Sequence, residues 1–354
     1  MIFRSDNVAG VAPEILDAIV RNAGGTAAPY GADDATARLH DAFAEAFETD
    51  DLAVFPLVTG SAANALSLAL LTPPWGAVYA EASAHAIVDE CGGPELQTGG
   101  ARLVGLPGRH GKLDAETLDA ALADSGAGDV HHVQPAALTL TQATEAGTVY
   151  TPDEVAALAA VARRRGLGVH MDGARFANAV AAGTAAPADL TWRAGVDVLS
   201  FGATKNGCLA AEAIVLFGRD PAREAELGFR RKRAGHLLSK MRFVSVQLEA
   251  YLAGGLWLDL ARRANAAAAR LGAGLAALPG CAPVHPVEAN EVFAPLPEAV
   301  RRAYDDNGIG WGPWDSATAR MVAAFDTTDA DVDRAVAVAR DALAAAALTA
   351  AAGR

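Results

Sequence analysis

Along this chain, short runs that are apolar at nearly every position alternate with longer Ala-rich stretches. Residues 54–59 (VFPLVT), 76–80, 102–106, 130–140, 167–171 and 196–201 have the length and content of strands, although Pro56 is unfavourable inside a central one. A helical pattern begins after Gly60-Ser61 and stops at Thr72-Pro73-Pro74. Another covers 152–165, with Thr151 as its cap and Pro152 in its first turn. A strand that is apolar throughout cannot leave one face in water. Such strands, separated by helices, predict an α/β fold with a mainly parallel sheet covered on both faces.

From about Gln247 the texture changes. A long helix rich in Ala and Arg is expected over 257–278, closed by Pro279-Gly280. Short strands near 291–293 and 320–325 and a last helix from Thr328-Asp329 follow. The prediction is a large domain over 1–248 and a smaller C-terminal α+β domain over 249–354, with the N-terminal segment reaching toward the smaller one.

Composition narrows the function classes. The 354 residues are 52% hydrophobic and 20% charged, enough to build a large core and too apolar for dominant disorder. With 29 Lys+Arg against 42 Asp+Glu the net charge is −13, which argues against nucleic acid or an anionic membrane as partner. The three cysteines, Cys91, Cys208 and Cys281, are far apart and form no C-x-x-C pair, so neither a disulfide framework nor a zinc site is expected. The longest apolar stretch, 62–71, is too short to span a bilayer, and residues 1–10 hold no signal-peptide core, so a cytoplasmic location is expected. His131 and His132 are adjacent in a strand-like run and face opposite ways, and no H-E-x-x-H occurs, so no catalytic metal is expected. His170 reads as a packed strand histidine, His236 as a candidate for the substrate pocket, and His40, His110 and His285 as superficial.

Three features sit where predicted strands end, the edge at which open parallel sheets bind ligands. Lys205 follows a buried strand in a Gly-flanked turn (SFGATKNG) and is either a solvated loop lysine or an amine made nucleophilic by burial. Asp172 closes the strand of GLGVHMDGAR, with Arg175 three residues on. It either pairs with that arginine or holds a ring nitrogen protonated, leaving Arg175 to fork onto a carboxylate. Thr59-Gly60-Ser61-Ala62-Ala63-Asn64 leaves a strand and enters a helix, as an ordinary capped helix or as an anion cradle. Together, an anion cradle, a ring-nitrogen carboxylate and a nucleophilic lysine are what a protein must supply to hold pyridoxal phosphate.

These segments, HMDGARFANA and SFGATKNG above all, resemble the low-specificity L-threonine aldolases of the β-eliminating-lyase group, and within it the branch that includes phenylserine aldolases. The likeness extends through FRSDNVAG at 3–10, APYGADD, SAHAIVDECG, TQATEAGTVY, RRKRAGHLLSKMR and ARMVAAFDTT. It implies fold type I, pyridoxal 5′-phosphate as cofactor, and retro-aldol cleavage of L-threonine, L-allo-threonine or a related L-β-hydroxy-α-amino acid to glycine and an aldehyde. The alternative is β-elimination, transamination or racemisation with the same cofactor. On this resemblance Lys205 would carry the cofactor, Asp172 would pair with its ring nitrogen, Gly60 and Ser61 would bind its phosphate, and His85 would stack on its ring near the β-hydroxyl. Ser5, Arg175 and Arg320 would hold the α-carboxylate. Lys232 and Arg242 would lie near the phosphate of a neighbouring subunit, with Tyr30 reaching across, in a homodimer or homotetramer. Many members carry Thr-His-Asn-Gly where this chain has Thr144-Glu145-Ala146-Gly147, so Glu145 stands in place of a second histidine and is the rival of His85 as base.

Overall fold

The computed structural model describes residues 3–183 and 185–352; residues 1–2 and 353–354, the outer ends of the two expected domains, lie outside the described residues. The main sheet contains β1 (Leu52–Leu57), β2 (Gly76–Glu81), β3 (Arg102–Leu106), β4 (Gln134–Thr141), β5 (Gly168–Gly173), β6 (Val198–Gly202) and β7 (Glu212–Phe217), in the order β1-β7-β6-β5-β4-β2-β3. From β3 to β6 the neighbours are parallel, and β7 runs antiparallel to both β6 and β1.

Side chains alternate across this sheet with period two. Val198, Ile214 and Leu216 pack on Ala63 and Leu66 of the helix Gly60–Leu71. Leu199 and Phe201 face the other way, into a cluster with Val155 and Leu158 of the helix Pro152–Arg164. Helix Gly60–Leu71 is itself buried at every residue from Ala63 to Ala69, which explains why it lacks an amphipathic pattern.

Two details depart from the sequence expectation. β4 starts at Gln134 because Asp129 folds the preceding segment into a turn: its carboxylate accepts from His131 N at 2.9 Å and its carbonyl from His132 N at 3.1 Å. His131 and His132 are therefore turn residues, and Val130 is 94% exposed. β7 was not anticipated, since an antiparallel strand breaks the strand–helix alternation. Pro56 is accommodated because β1 is an edge strand, paired among the described residues only with β7.

A second, antiparallel sheet of β8 (Glu291–Pro295), β9 (Gly312–Pro313) and β10 (Thr318–Val322), ordered β8-β10-β9, packs with the helices Leu256–Ala276, Glu298–Asp306 and Asp329–Ala352. Its core contains Leu271, Leu275, Val292, Val300, Met321 and Val332, joined by Phe3 from the start of the chain. Phe3 is held there by main-chain bonds to Gly310 O (2.8 Å) and from Val322 N (2.7 Å). Helix Leu256–Ala276 joins the two cores, placing Trp257 and Leu260 in the first and Ala268 and Leu271 in the second. Among the described residues no helix is long and apolar enough to cross a membrane.

Candidate active site

Parallel β2, β4, β5 and β6 end on one edge, and antiparallel β7 begins there. A cavity of about 410 Å³ opens at this edge, and residues Ser5, Asn7, Trp314 and Arg320 from the chain's two ends complete its wall. The three sequence features meet in it: Thr59, Gly60 and Ser61, Asp172 and Arg175, and Lys205 all line the cavity, as do His85 and Glu145.

Lys205 lies in a single helical turn, Thr204–Asn206, directly after β6. That turn is fixed from behind, where the Asn206 amide donates to Tyr251 Oη at 2.7 Å and to Trp257 O at 2.8 Å. Glycine is needed where β6 ends, because a Cβ at Gly202 would lie 2.5 Å from Ala174 O and 2.7 Å from Ala174 Cα. Gly207 leaves the turn at φ +115°, a conformation L side chains rarely adopt. Burial lowers the pKa of the Lys205 amine and Arg175 adds to the effect, while Asp6, Asp172 and Glu212 oppose it. Of the two readings the sequence left open for Lys205, burial excludes the solvated loop lysine.

Asp172 lies on β5 opposite Ser200 of β6, so it and Lys205 belong to adjacent strand ends. It is 4% exposed. Its Oδ1 accepts from Ala174 N at 3.0 Å and its Oδ2 from Asn64 Nδ2 at 2.7 Å. It therefore does not pair with Arg175 among the hydrogen bonds and ion pairs of the described residues. At the N-terminus of helix Gly60–Leu71, Thr59 Oγ1 caps Ala62 N at 3.3 Å. A Cβ built on Gly60 would meet nothing within 4 Å, so open space begins directly at this backbone. An anion has room there, at the positive end of the helix.

Arg175 and Arg320 are both committed to acids. Arg175 forks onto Asp6 through Nε (2.7 Å) and Nη2 (2.8 Å), and its Nη1 lies 3.7 Å from Glu291 Oε2. Arg320 Nε donates to Glu291 Oε1 at 2.8 Å. Glu291 thus holds two guanidinium groups side by side, with donors left over: each carries five N–H bonds. Burial alone would lower the Arg175 pKa, but Asp6 and Glu291 outweigh it and hold the group cationic. Ser5 lies on the same wall, its hydroxyl accepting from Asn7 N at 3.1 Å.

His85 begins the short helix His85–Val88. Its Nδ1 is 2.9 Å from Glu90 Oε1, and its main-chain N–H donates to Glu145 Oε1 at 2.7 Å. The hydrogen bond to Glu90 raises the imidazole pKa, burial opposing it. Burial, helped by the charge of Asp172, pushes the Glu145 carboxyl up to about 8. Glu212, the first residue of β7, is pushed up to about 7 by burial and lines the cavity too.

Tyr30, Lys232 and Arg242 lie outside the cavity lining. The Lys232 ammonium sits 5.0 Å over the Tyr30 ring, Tyr30 N donates to Ser239 O, and Arg242 begins the helix Arg242–Leu252. His170 is a fully buried strand histidine between Thr139 Oγ1 (2.8 Å) and Ser200 Oγ (2.9 Å), as its position suggested. His236 does not line the cavity. His110 and His285 are not simply superficial, since their Nδ1 atoms meet at 2.9 Å. Sequence reading gave no role to Asp6, Asn64, Glu90, Glu212, Glu291 or Trp314, all of which line or brace the site. Asn64 and Glu90 stood inside recognised segments, but nothing in a linear motif shows that they meet.

A parallel sheet with one reversed strand, a buried carboxylate on one strand end and a lysine on the next, define an α/β fold of fold type I. The chain belongs to the beta-eliminating lyase family, whose model matches residues 3–299. It is 42% identical over 346 residues to a low specificity L-threonine aldolase of Pseudomonas aeruginosa, covering 96% of each chain. It is 41% identical over 332 residues to a protein of the same description from another Pseudomonas strain, covering 93% of this chain and 94% of that one. The solved structure of Leishmania major threonine aldolase superposes with a TM-score of 0.88 at 28% identity, over 96% of this chain and 98% of that one.

Proposed function

We propose that this protein is a pyridoxal 5′-phosphate-dependent aldolase that cleaves L-threonine, L-allo-threonine or a related L-β-hydroxy-α-amino acid such as phenylserine to glycine and an aldehyde. The observation that carries this reading is the convergence of Lys205, Asp172, His85 and two guanidinium groups on one cavity. The residues suit the cofactor: a buried carboxylate for the ring nitrogen, a depressed amine for the aldehyde carbon, and open space at the helix N-terminus for the phosphate. When bound, pyridoxal phosphate supplies an electron sink for the pair released as the Cα–Cβ bond breaks.

The chain's own groups supply the rest. Gly60 and Ser61 bind phosphate through main-chain and hydroxyl donors at the start of helix Gly60–Leu71. Asp172 keeps the ring nitrogen protonated, aided by a burial that leaves it few other partners. Arg175, Arg320 and Ser5 take the α-carboxylate, which fixes the rotation of the substrate about its Cα. His85 accepts the β-hydroxyl proton. Glu145, whose carboxyl titrates at about 8, carries its proton at neutral pH and acts as a hydrogen-bond donor toward the aldehyde oxygen, which favours His85 as base.

Tyr30, Lys232 and Arg242 complete the phosphate end of a neighbouring subunit's site in a homodimer or homotetramer, with a division of each chain near residues 248 and 249 and a cytoplasmic location. The contact of Lys232 with Tyr30, and the position of all three residues outside their own cavity, support the first part of that reading. The test is release of glycine and aldehyde from threonine, allo-threonine and phenylserine, with the visible absorbance of bound cofactor followed in parallel. Lys205→Ala should lose both the absorbance and the activity. Exchange of solvent deuterium into substrate without aldehyde release would overturn the aldolase reading in favour of the alternative chemistries.

A further inference from the structure

A histidine that accepts a proton must present a bare ring nitrogen to the substrate. In His85, Nδ1 is occupied by Glu90 Oε1 at 2.9 Å, so Nε2 is the nitrogen left for the cavity. The same Glu90 oxygen accepts from Asn64 Nδ2 at 2.8 Å, and Asn64 Nδ2 also donates to Asp172 Oδ2 at 2.7 Å. An amide nitrogen only donates, and both of its hydrogens are used here. Turning the amide over would set its oxygen against two carboxylate oxygens, so the orientation is fixed by its partners. Burial and the charge of Asp172 raise the Glu90 pKa, while the hydrogen bonds from His85 and Asn64 favour its ionised form. With Glu90 ionised, Oε1 accepts from both and the hydrogen between it and His85 belongs to Nδ1.

We propose that Glu90 and Asn64 are positioning residues: Asn64 holds Glu90 and Asp172 at a fixed separation, and Glu90 fixes His85 in the Nδ1–H form and strengthens Nε2 as a base. This rests on the reading of His85 as the proton acceptor of an aldolase. The Glu90 side chain is fully buried, and its second oxygen has no hydrogen-bond partner among the described residues. A carboxylate buried with one oxygen unpaired is a poor structural ion pair, because breaking even on desolvation needs its lone pairs satisfied. Directed at an imidazole, the same arrangement orients the base and stabilises the charge it gains with the proton, as the carboxylate does in serine hydrolases. The charged or titratable groups facing His85 are Glu90, Asp172, Lys205 and, through the main chain, Glu145. Of these Glu90 is in direct contact with the ring, so its loss has the largest expected effect on the ring's proton affinity.

The test is Glu90→Gln, which keeps shape and removes charge, with Asn64→Ser as a second variant that removes the amide tether. Histidine labelled with ¹⁵N, assigned through His85→Asn, reports tautomer and titration of His85 in the holoenzyme and in protein stripped of cofactor. Wild type should show the Nδ1–H form. In E90Q the His85 titration and the acid limb of the kcat/KM profile should both move to lower pH by about one unit or more, with little change in KM. N64S, which removes a donor that favours ionised Glu90, should shift them by a smaller amount. Unchanged tautomer and titration in either folded variant would overturn the assignment, however much activity is lost. Wild-type protein that releases no glycine would instead overturn the aldolase reading, and the titration of the stripped protein would still decide the role of Glu90.

Discussion

Glu145→Gln removes a titration while preserving a shape, and its effect can be worked from the structure. The carboxyl is held by the His85 main-chain N–H at 2.7 Å and titrates at about 8, against 4.5 for the free side chain, because burial and the charge of Asp172 disfavour its ionised form. Between those two values the folded chain holds a proton that the unfolded chain has released. Stability therefore falls as pH rises through this window, with a slope of at most about 1.4 kcal/mol per pH unit. The full window corresponds to roughly 5 kcal/mol, and relaxation of the loop with water entering the cavity reduces this several-fold. From pH 5.5 to 8 we expect the stability of E145Q to gain about 1–2 kcal/mol on wild type, the two being closest at acid pH. At roughly 2–4 °C per kcal/mol, the gap in Tm should widen by about 2–8 °C. Thermal melts of both proteins stripped of cofactor, at one protein concentration across this pH range, measure the gap, and subtraction cancels every group the two share. Parallel curves, or a gap that closes as pH rises, would refute the account of Glu145 as a protonated acid.

Two further outcomes are expected. His85→Asn should lower kcat for glycine release by about 10²–10⁴-fold with KM nearly unchanged, and a loss below tenfold would move the base elsewhere. Gly202→Ala places a methyl group against the main chain of Ala174, at 2.5 Å from its oxygen, and should cost about 1–3 kcal/mol of stability together with activity, through the Lys205 turn. An unchanged Tm would show that β5 and β6 can separate freely at this edge.

The parallel part of the sheet was legible because buried strands leave continuous apolar runs, and β2, β3, β5 and β6 lie within a residue or two of where those runs end. β7 was missed although EAIVLF is equally apolar, since its direction depends on pairing and not on its own residues. The lysine and the aspartate could be read for a related reason. Asp172 lies at the end of a strand and Lys205 just beyond one, and the C-terminal end of such strands is the binding edge of any parallel sheet, so local text fixes their place. The arginines were legible as cations and not as partners: nothing in the text near Arg175 points to Asp6, or near Arg320 to its bond with Glu291 across β8 and β10. Glu90 and Asn64 were hidden likewise, because a buried polar network is a property of three segments that meet only after folding.

The first residues of the chain reach the site only by way of its last quarter. Phe3 is anchored in a core built from residues beyond Ala267 and bonded to Gly310 and Val322, and through it Asp6 is delivered to Arg175 and Ser5 to the cavity wall. As the chain leaves the ribosome, the main sheet can close once β7 has emerged, but the cavity wall that carries Arg320 must wait for β10. Residues 3–6 thus find their place only after β10 is made, and a product cut short before β10 would keep Lys205, Asp172 and Arg175 while lacking Arg320 and the anchor that brings Ser5 to the cavity wall and Asp6 to Arg175.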